Sequence, residues 1–132
     1  MLKSNAVSVI TRYESPHKSN STYFVLAGDS VTLVCDTDLE KEDVWYLQWR
    51  DREKNSSGTL FEYHNDDNNS SLLNDFKGRD IESRWIGTEH RLTINNVCIL
   101  TDRRLYECTV YDNTNRSIGK KELDLRKTII GK

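Results

Sequence analysis

Between Leu92 and Cys108 the chain carries two runs of alternating apolar and polar residues joined by a short turn. Few folds accommodate what that stretch demands. Leu92 and Ile94 alternate with polar Thr93 and Asn95, as a half-buried strand requires. Asp102 lies in the connecting turn. The second run sets Tyr106 and Cys108 two apart, on one face of the pleat. Upstream, Val31, Leu33 and Cys35 alternate in the same manner, and a second strand-like run, Val44-Trp45-Tyr46-Leu47-Gln48-Trp49-Arg50, follows.

Taken together, these residues resemble the E strand, corner and F strand of an immunoglobulin domain, with its upstream B and C strands. There the pattern is Leu-x-Ile, then Asp-x-Gly/Ala-x-Tyr-x-Cys, and the tyrosine hydroxyl ties the corner down. The resemblance spans nearly the whole chain. It implies an all-β, immunoglobulin-like β-sandwich of the variable type, with two antiparallel sheets and Greek-key connections. It further implies a disulfide between Cys35 and Cys108, which stand 73 positions apart. Trp49, 14 residues after Cys35, reads as the tryptophan packed on that bridge, and Tyr106 as the corner tyrosine. Trp45 shares the parity of Trp49 and is the weaker candidate. The 43 positions from Trp49 to Leu92 exceed what a constant-type domain needs and leave room for C′, C″ and D strands. The family's D-strand arginine pairs with the corner aspartate. Here Asp102 has Arg79 or Arg84 available, and Arg79, after Lys77-Gly78, has the more typical distance.

Length and composition agree with one such domain across residues 1–132, its core spanning about 6–127. A mean hydropathy of −0.73 and a single proline exclude membranous and low-complexity classes. A formal net charge of −2 supplies no basic field, so nucleic acid is not an expected partner. Met1-Leu2-Lys3-Ser4-Asn5 contains no apolar signal-peptide core. The expectation is a mature ectodomain cut from a longer protein, with an initiator Met added. A Cys35–Cys108 bridge would stabilise by about 4–5 kcal/mol in the loop-entropy account. It requires an oxidising compartment, so the expected location is extracellular.

In chain order, Ala6 to Arg12 reads as strand A and Tyr13 to Asn20 as a polar break. Tyr23 to Leu26 reads as A′. After Cys35 the acidic run Asp36 to Asp43 is the B–C loop, and C runs from Val44 to about Arg50. Thr59 to Tyr63 is C′. The polar tract His64 to Ser71 reads as a hairpin tip rather than a calcium loop, since it lacks the spaced Asp frame. Leu72 to Phe76 forms a short C″, Ser83 to Ile86 is D, and Ser117 to Arg126 is G. Two departures from the family pattern stand in the corner. Arg104 occupies the small Gly/Ala position, and the gap from Ile94 to Cys108 is one residue long. Counting forward puts Val97 in the corner's apolar site, whereas counting back puts Cys98 there. Cys98 reads first as a small buried hydrophobe. A disulfide to a neighbouring domain or molecule and a reactive thiol are the alternatives.

Asn-x-Ser/Thr acceptors occur at Asn20, Asn55, Asn68, Asn69 and Asn115, all in expected loops. No Gly-rich phosphate loop, His-x-x-x-His, Cys-x-x-Cys or Gly-x-Ser-x-Gly is present, and Cys98 with His17, His64 or His90 matches no catalytic signature. His90 is expected to be solvated, just before strand E. No enzyme, cofactor, metal or small-molecule substrate is therefore expected, and any membrane link would lie outside this chain. What remains is recognition. Alternation places Tyr46, Gln48, Arg50, Tyr63, Thr109 and Tyr111 on the outer face of the G-F-C-C′ sheet, and Tyr and Arg are favoured at interface centres. The resemblance implies cell–cell recognition through another immunoglobulin domain, first of all a second copy, in a receptor of invertebrate allorecognition type. The Phe/Trp-Gly-x-Gly bulge of antigen receptors is missing. A structural spacer module and a secreted ligand-binding or decoy domain are the alternatives.

Overall fold

The computed structural model describes residues 6–19 and 22–131. Its first layer is a four-stranded antiparallel sheet of β1 (Ile10–Glu14), β4 (Val31–Asp36), β9 (Glu89–Ile94) and β8 (Ile81–Ile86), in the order β1-β4-β9-β8. The second is a five-stranded antiparallel sheet ordered β11-β10-β5-β6-β7: β5 (Tyr46–Asp51), β6 (Thr59–His64), β7 (Asn69–Leu72), β10 (Leu105–Tyr111) and β11 (Ser117–Asp124). A small ribbon of β2 (His17–Ser19) and β3 (Thr22–Leu26) continues into β12 (Ile129–Ile130), which runs parallel to β3. The chain is an immunoglobulin-like all-β sandwich.

Alternation decides which side chains meet between the layers. In β4, Val31, Leu33 and Cys35 point inward opposite Ile94, Leu92 and His90 of β9. In β5, Leu47 and Trp49 point inward opposite Val110 and Cys108 of β10. Cys35 and Cys108 are bonded across the core, with Cα atoms 6.4 Å apart. Their cross-strand neighbours are joined as well, since Trp49 Nε1 donates to His90 Nδ1 at 3.1 Å. Each sheet thus contributes one cross-strand pair, and both members of each pair are tied to the other sheet. His90 belongs to β9 and is fully buried, contrary to the solvated position expected of it. It stacks on Phe61 at 4.6 Å and meets Trp85 edge-on at 5.1 Å. Register explains the correction: strand E begins at Glu89, so parity turns His90 inward beside Leu92 and Ile94. Trp45, by contrast, is 38% exposed.

Several boundaries move. Strand A begins at Ile10 rather than Ala6, because Val7 hydrogen-bonds Ile118 of β11 instead of the B strand. The segment lies so close to β11 that a Cβ on Gly119 would stand 2.7 Å from Val9 Cγ2. The expected polar break holds β2, C″ falls at Asn69–Leu72, and Asn74–Phe76 is a 3-10 turn, with Phe76 buried. Strand D begins at Ile81, and G ends at Asp124.

The corner closes on a one-turn helix, α1 (Ile99–Asp102). Tyr106 is fully buried and donates to the Asp102 carbonyl at 2.8 Å. Arg79 grips Asp102 with both terminal nitrogens, at 2.6 and 2.8 Å, whereas Arg84 is exposed on β8 and has no part in that contact. Val97 fills the corner's apolar site, 2% exposed. Cys98, expected there as a buried hydrophobe, is exposed with a free thiol. The count forward from Ile94 therefore holds, and the extra residue is absorbed between Val97 and Asp102, where α1 forms. That puts Val97 inside and turns Cys98 out. Arg104 is 6% exposed, its guanidinium bonded to Asp51 at 2.8 Å and Asp75 at 2.6 Å.

Candidate protein-interaction face

The outward residues of the five-stranded sheet form three cross-strand rows, since directly paired residues share a face. The first is Tyr111, Tyr46, His64 and Asn69; the second Lys120, Thr109, Gln48, Glu62 and Ser71; the third Glu122, Glu107, Arg50 and Thr59.

A connected polar-aromatic cluster occupies the middle. The Tyr46 hydroxyl donates to Glu62 Oε2 at 2.7 Å and lies 3.2 Å from Gln48 Oε1; Gln48 Nε2 donates to the Tyr111 hydroxyl at 3.3 Å. The Tyr46 ring lies 5.3 Å from that of Tyr111 and 4.7 Å from that of His64. Partial burial, then the Glu62 carboxylate, push the Tyr46 phenol well above its usual range, so it remains a donor. Tyr46, Gln48 and Tyr111 are all half-buried, which leaves apolar ring area facing out while their polar tips are held by one another.

Three of the six residues expected on this face do not serve it as parity alone suggested. Tyr63 points inward, 2% exposed, opposite Leu47 and edge-on to Trp85 at 5.5 Å. The register of β5 against β6 slips between Trp49 and Arg50, so Leu60 is an extra residue; Phe61 then pairs with Trp49 and Tyr63 falls on the core side. Thr109 sits on the outer face but is only 3% exposed, enclosed by its row neighbours. Arg50 is half-buried, its guanidinium spent on the carbonyls of Lys54 and Asn55 in the C–C′ loop. Glu62 and His64 complete the cluster instead; they are the outward residues of β6 once the bulge is counted. Glu107 is nearly buried and paired with Arg52 at 3.3 Å, which also reaches Glu122 at 3.1 Å.

The acceptors frame this face. Asn55 and Asn68 are exposed in loops, and Asn115 is exposed in the F–G turn with a left-handed φ of 64°. Asn69 is the first residue of β7 rather than a loop residue, and its pairing with His64 puts it on the outer face. Asn20 lies outside the described residues. Among the described residues no group of three His, Cys, Asp or Glu side chains is placed to hold a metal ion. At the corner, the Thr101 hydroxyl, then the amides of Leu100 and Thr101, hold the Cys98 thiol below its usual pKa.

No protein-family model matches the chain, and no curated protein matches it.

Proposed function

We propose that this chain is a variable-type immunoglobulin domain of an extracellular recognition receptor, and that it binds another immunoglobulin domain, a second copy of itself, through the outer face of the five-stranded sheet. The observation that carries this reading is the Tyr46–Gln48–Tyr111 cluster. Its aromatic rings face out in orientations already fixed by mutual hydrogen bonds, so little side-chain freedom is lost on docking. The variable-type assignment is supported by β6 and β7, two strands added beyond β5 on that sheet. The extracellular assignment is supported by the Cys35–Cys108 disulfide. The absence of a Phe/Trp-Gly-x-Gly bulge in β11 favours membrane recognition receptors outside vertebrate adaptive immunity, the allorecognition type included.

Substituting both Tyr46 and Tyr111 by Asp tests the assignment. Sedimentation of the glycosylated wild-type domain is expected to show concentration-dependent self-association, and bead aggregation the same. Both are expected to vanish in the double variant while its melting transition persists. Self-association undiminished by the two aspartates would place the contact elsewhere.

A further inference from the structure

Resting on that self-pairing, the charge pattern of the face selects one orientation for the second copy. Lys120 and Glu62 stand at opposite ends of one row, with Thr109 and Gln48 between them on β10 and β5. Three strand spacings separate the two charges, about 14 Å. Lys120 is exposed, and among the described residues it has no ion-pair partner. Glu62 accepts from Tyr46 and contacts His64 Nε2 at 3.3 Å, yet its side chain remains 28% exposed.

A symmetric face-to-face dimer has its two-fold axis in the plane of contact. If that axis runs along the strands, between β10 and β5, it lays β11 of one copy over β6 of the other at the same row. Each Lys120 then meets the second copy's Glu62, twice per dimer, and each Tyr111 lies over the second copy's Tyr46. If the axis runs across the strands, β11 lies over β11 and β6 over β6, so Lys120 confronts Lys120 and Glu62 confronts Glu62. Like charges face to face cost enough to suppress that alternative. Four strands by three rows cover only about 400 Å² per copy, in the range of weak, transient contacts, where a pair of charges can decide orientation.

We propose that two copies pair with their strands running in the same direction, within the twist of about 30° that packed sheets adopt, through two symmetric Lys120–Glu62 contacts. The test compares the dimerisation constants of wild type, Glu62→Lys, Lys120→Glu and the double variant by sedimentation at low salt. Each single variant is expected to weaken pairing about tenfold, because it turns two attractions into two repulsions. The double variant, whose charges are exchanged on one chain, is expected to pair more tightly than either single variant, though short of wild type because a lysine at position 62 no longer accepts from Tyr46. Single variants that pair as wild type does, or a double variant that pairs no more tightly than Glu62→Lys alone, would overturn the orientation. The face itself would stand if Tyr46 and Tyr111 to Asp still abolished pairing; a wild type monomeric at every concentration would overturn both.

A cysteine pair keeps the orientation open to test if Glu62→Lys does not fold. In a Cys98→Ser background, Lys120→Cys and Glu62→Cys chains are mixed with glutathione disulfide, which is reduced to two thiols as the two protein thiols join. Cross-links between unlike chains are expected; cross-links between like chains would overturn the proposal.

Discussion

Acid should loosen this sandwich through a single buried histidine before any carboxylate takes part. Trp49 Nε1 donates to His90 Nδ1, so the neutral ring carries its proton on Nε2, which lies 2.9 Å from Ser83 Oγ and donates to it. Adding a second proton puts a charge in the core and turns Nδ1–H against the indole N–H. Burial accordingly depresses the His90 pKa from 6.5 to about 3. The unfolded chain therefore binds one more proton than the folded chain throughout the interval between those values. Stability is undiminished above pH 6.5 and falls as the pH drops below it, by about 1.4 kcal/mol per pH unit, hence about 2 kcal/mol by pH 5. Glu14, Asp75, Glu89 and Asp124 have pKa values lowered by hydrogen bonds from Arg91, Arg104, Arg12 and Arg126 respectively. Their contributions are lost in the same direction, but only as the pH falls through the ordinary carboxylate range near 4 and below.

The assay is urea unfolding followed by tryptophan fluorescence at pH 7.5, 6.5, 5.5 and 5.0, for wild type and His90→Gln. The variant loses the ring stacking on Phe61 and is less stable at neutral pH. Its dependence on pH carries every other titrating group, so subtracting it isolates His90. The difference between the two profiles should steepen below pH 6.5 toward one proton per molecule. A difference that stays flat down to pH 5 would refute the argument, and with it the assignment of His90 as a neutral acceptor for Trp49.

Two further outcomes are expected. Arg104→Ala should cost about 3–5 kcal/mol, because it leaves Asp51, 6% exposed, as a carboxylate without its cation; Asp51→Asn in that background should recover part of the loss, and a melting temperature within a degree of wild type for Arg104→Ala alone would contradict it. A thiol-specific disulfide reagent should titrate one cysteine per chain in the native protein and still one after denaturation without reductant, because Cys98 is exposed and Cys35 is bonded to Cys108; three thiols would contradict the bridge.

The parts of the fold that could be read in the sequence are those where alternation runs unbroken. Val31 to Cys35, Leu92 to Ile94 and Leu105 to Tyr111 each keep period two through to the structure, and with them come the bridge, Trp49 and the tyrosine corner. Parity failed where one residue was added. The bulge at Leu60 reverses every later side chain of β6, which moved Tyr63 from the surface to the core and brought Glu62 and His64 out in its place. An aromatic-rich strand looks much the same on either register, so only the partner strand could decide. The extra residue at the corner left Val97 and Cys98 as rivals by the same logic, and it is taken up after Val97, where α1 forms.

The polar inclusions were hidden for a different reason: each is compensated by a partner distant in the chain. Arg104 is tolerable in the corner only because Asp51, 53 positions earlier, ends β5 beneath it. His90 is tolerable in the core only because Trp49 donates to it from the facing sheet. A residue whose burial depends on a remote partner has no local pattern to betray it, whereas Tyr46 and Gln48, which lean on neighbours two residues away and one strand across, were found on the outer face by parity alone. The same distinction locates where the molecule can vary. The rows of the outer face are held by short-range contacts among themselves, so charges such as Lys120 and Glu62 can be exchanged without reaching the core. The bridge and the Trp49–His90 bond each cross from one sheet to the other, and the Arg104 cluster ties the corner to the end of β5, so changes there reach the core.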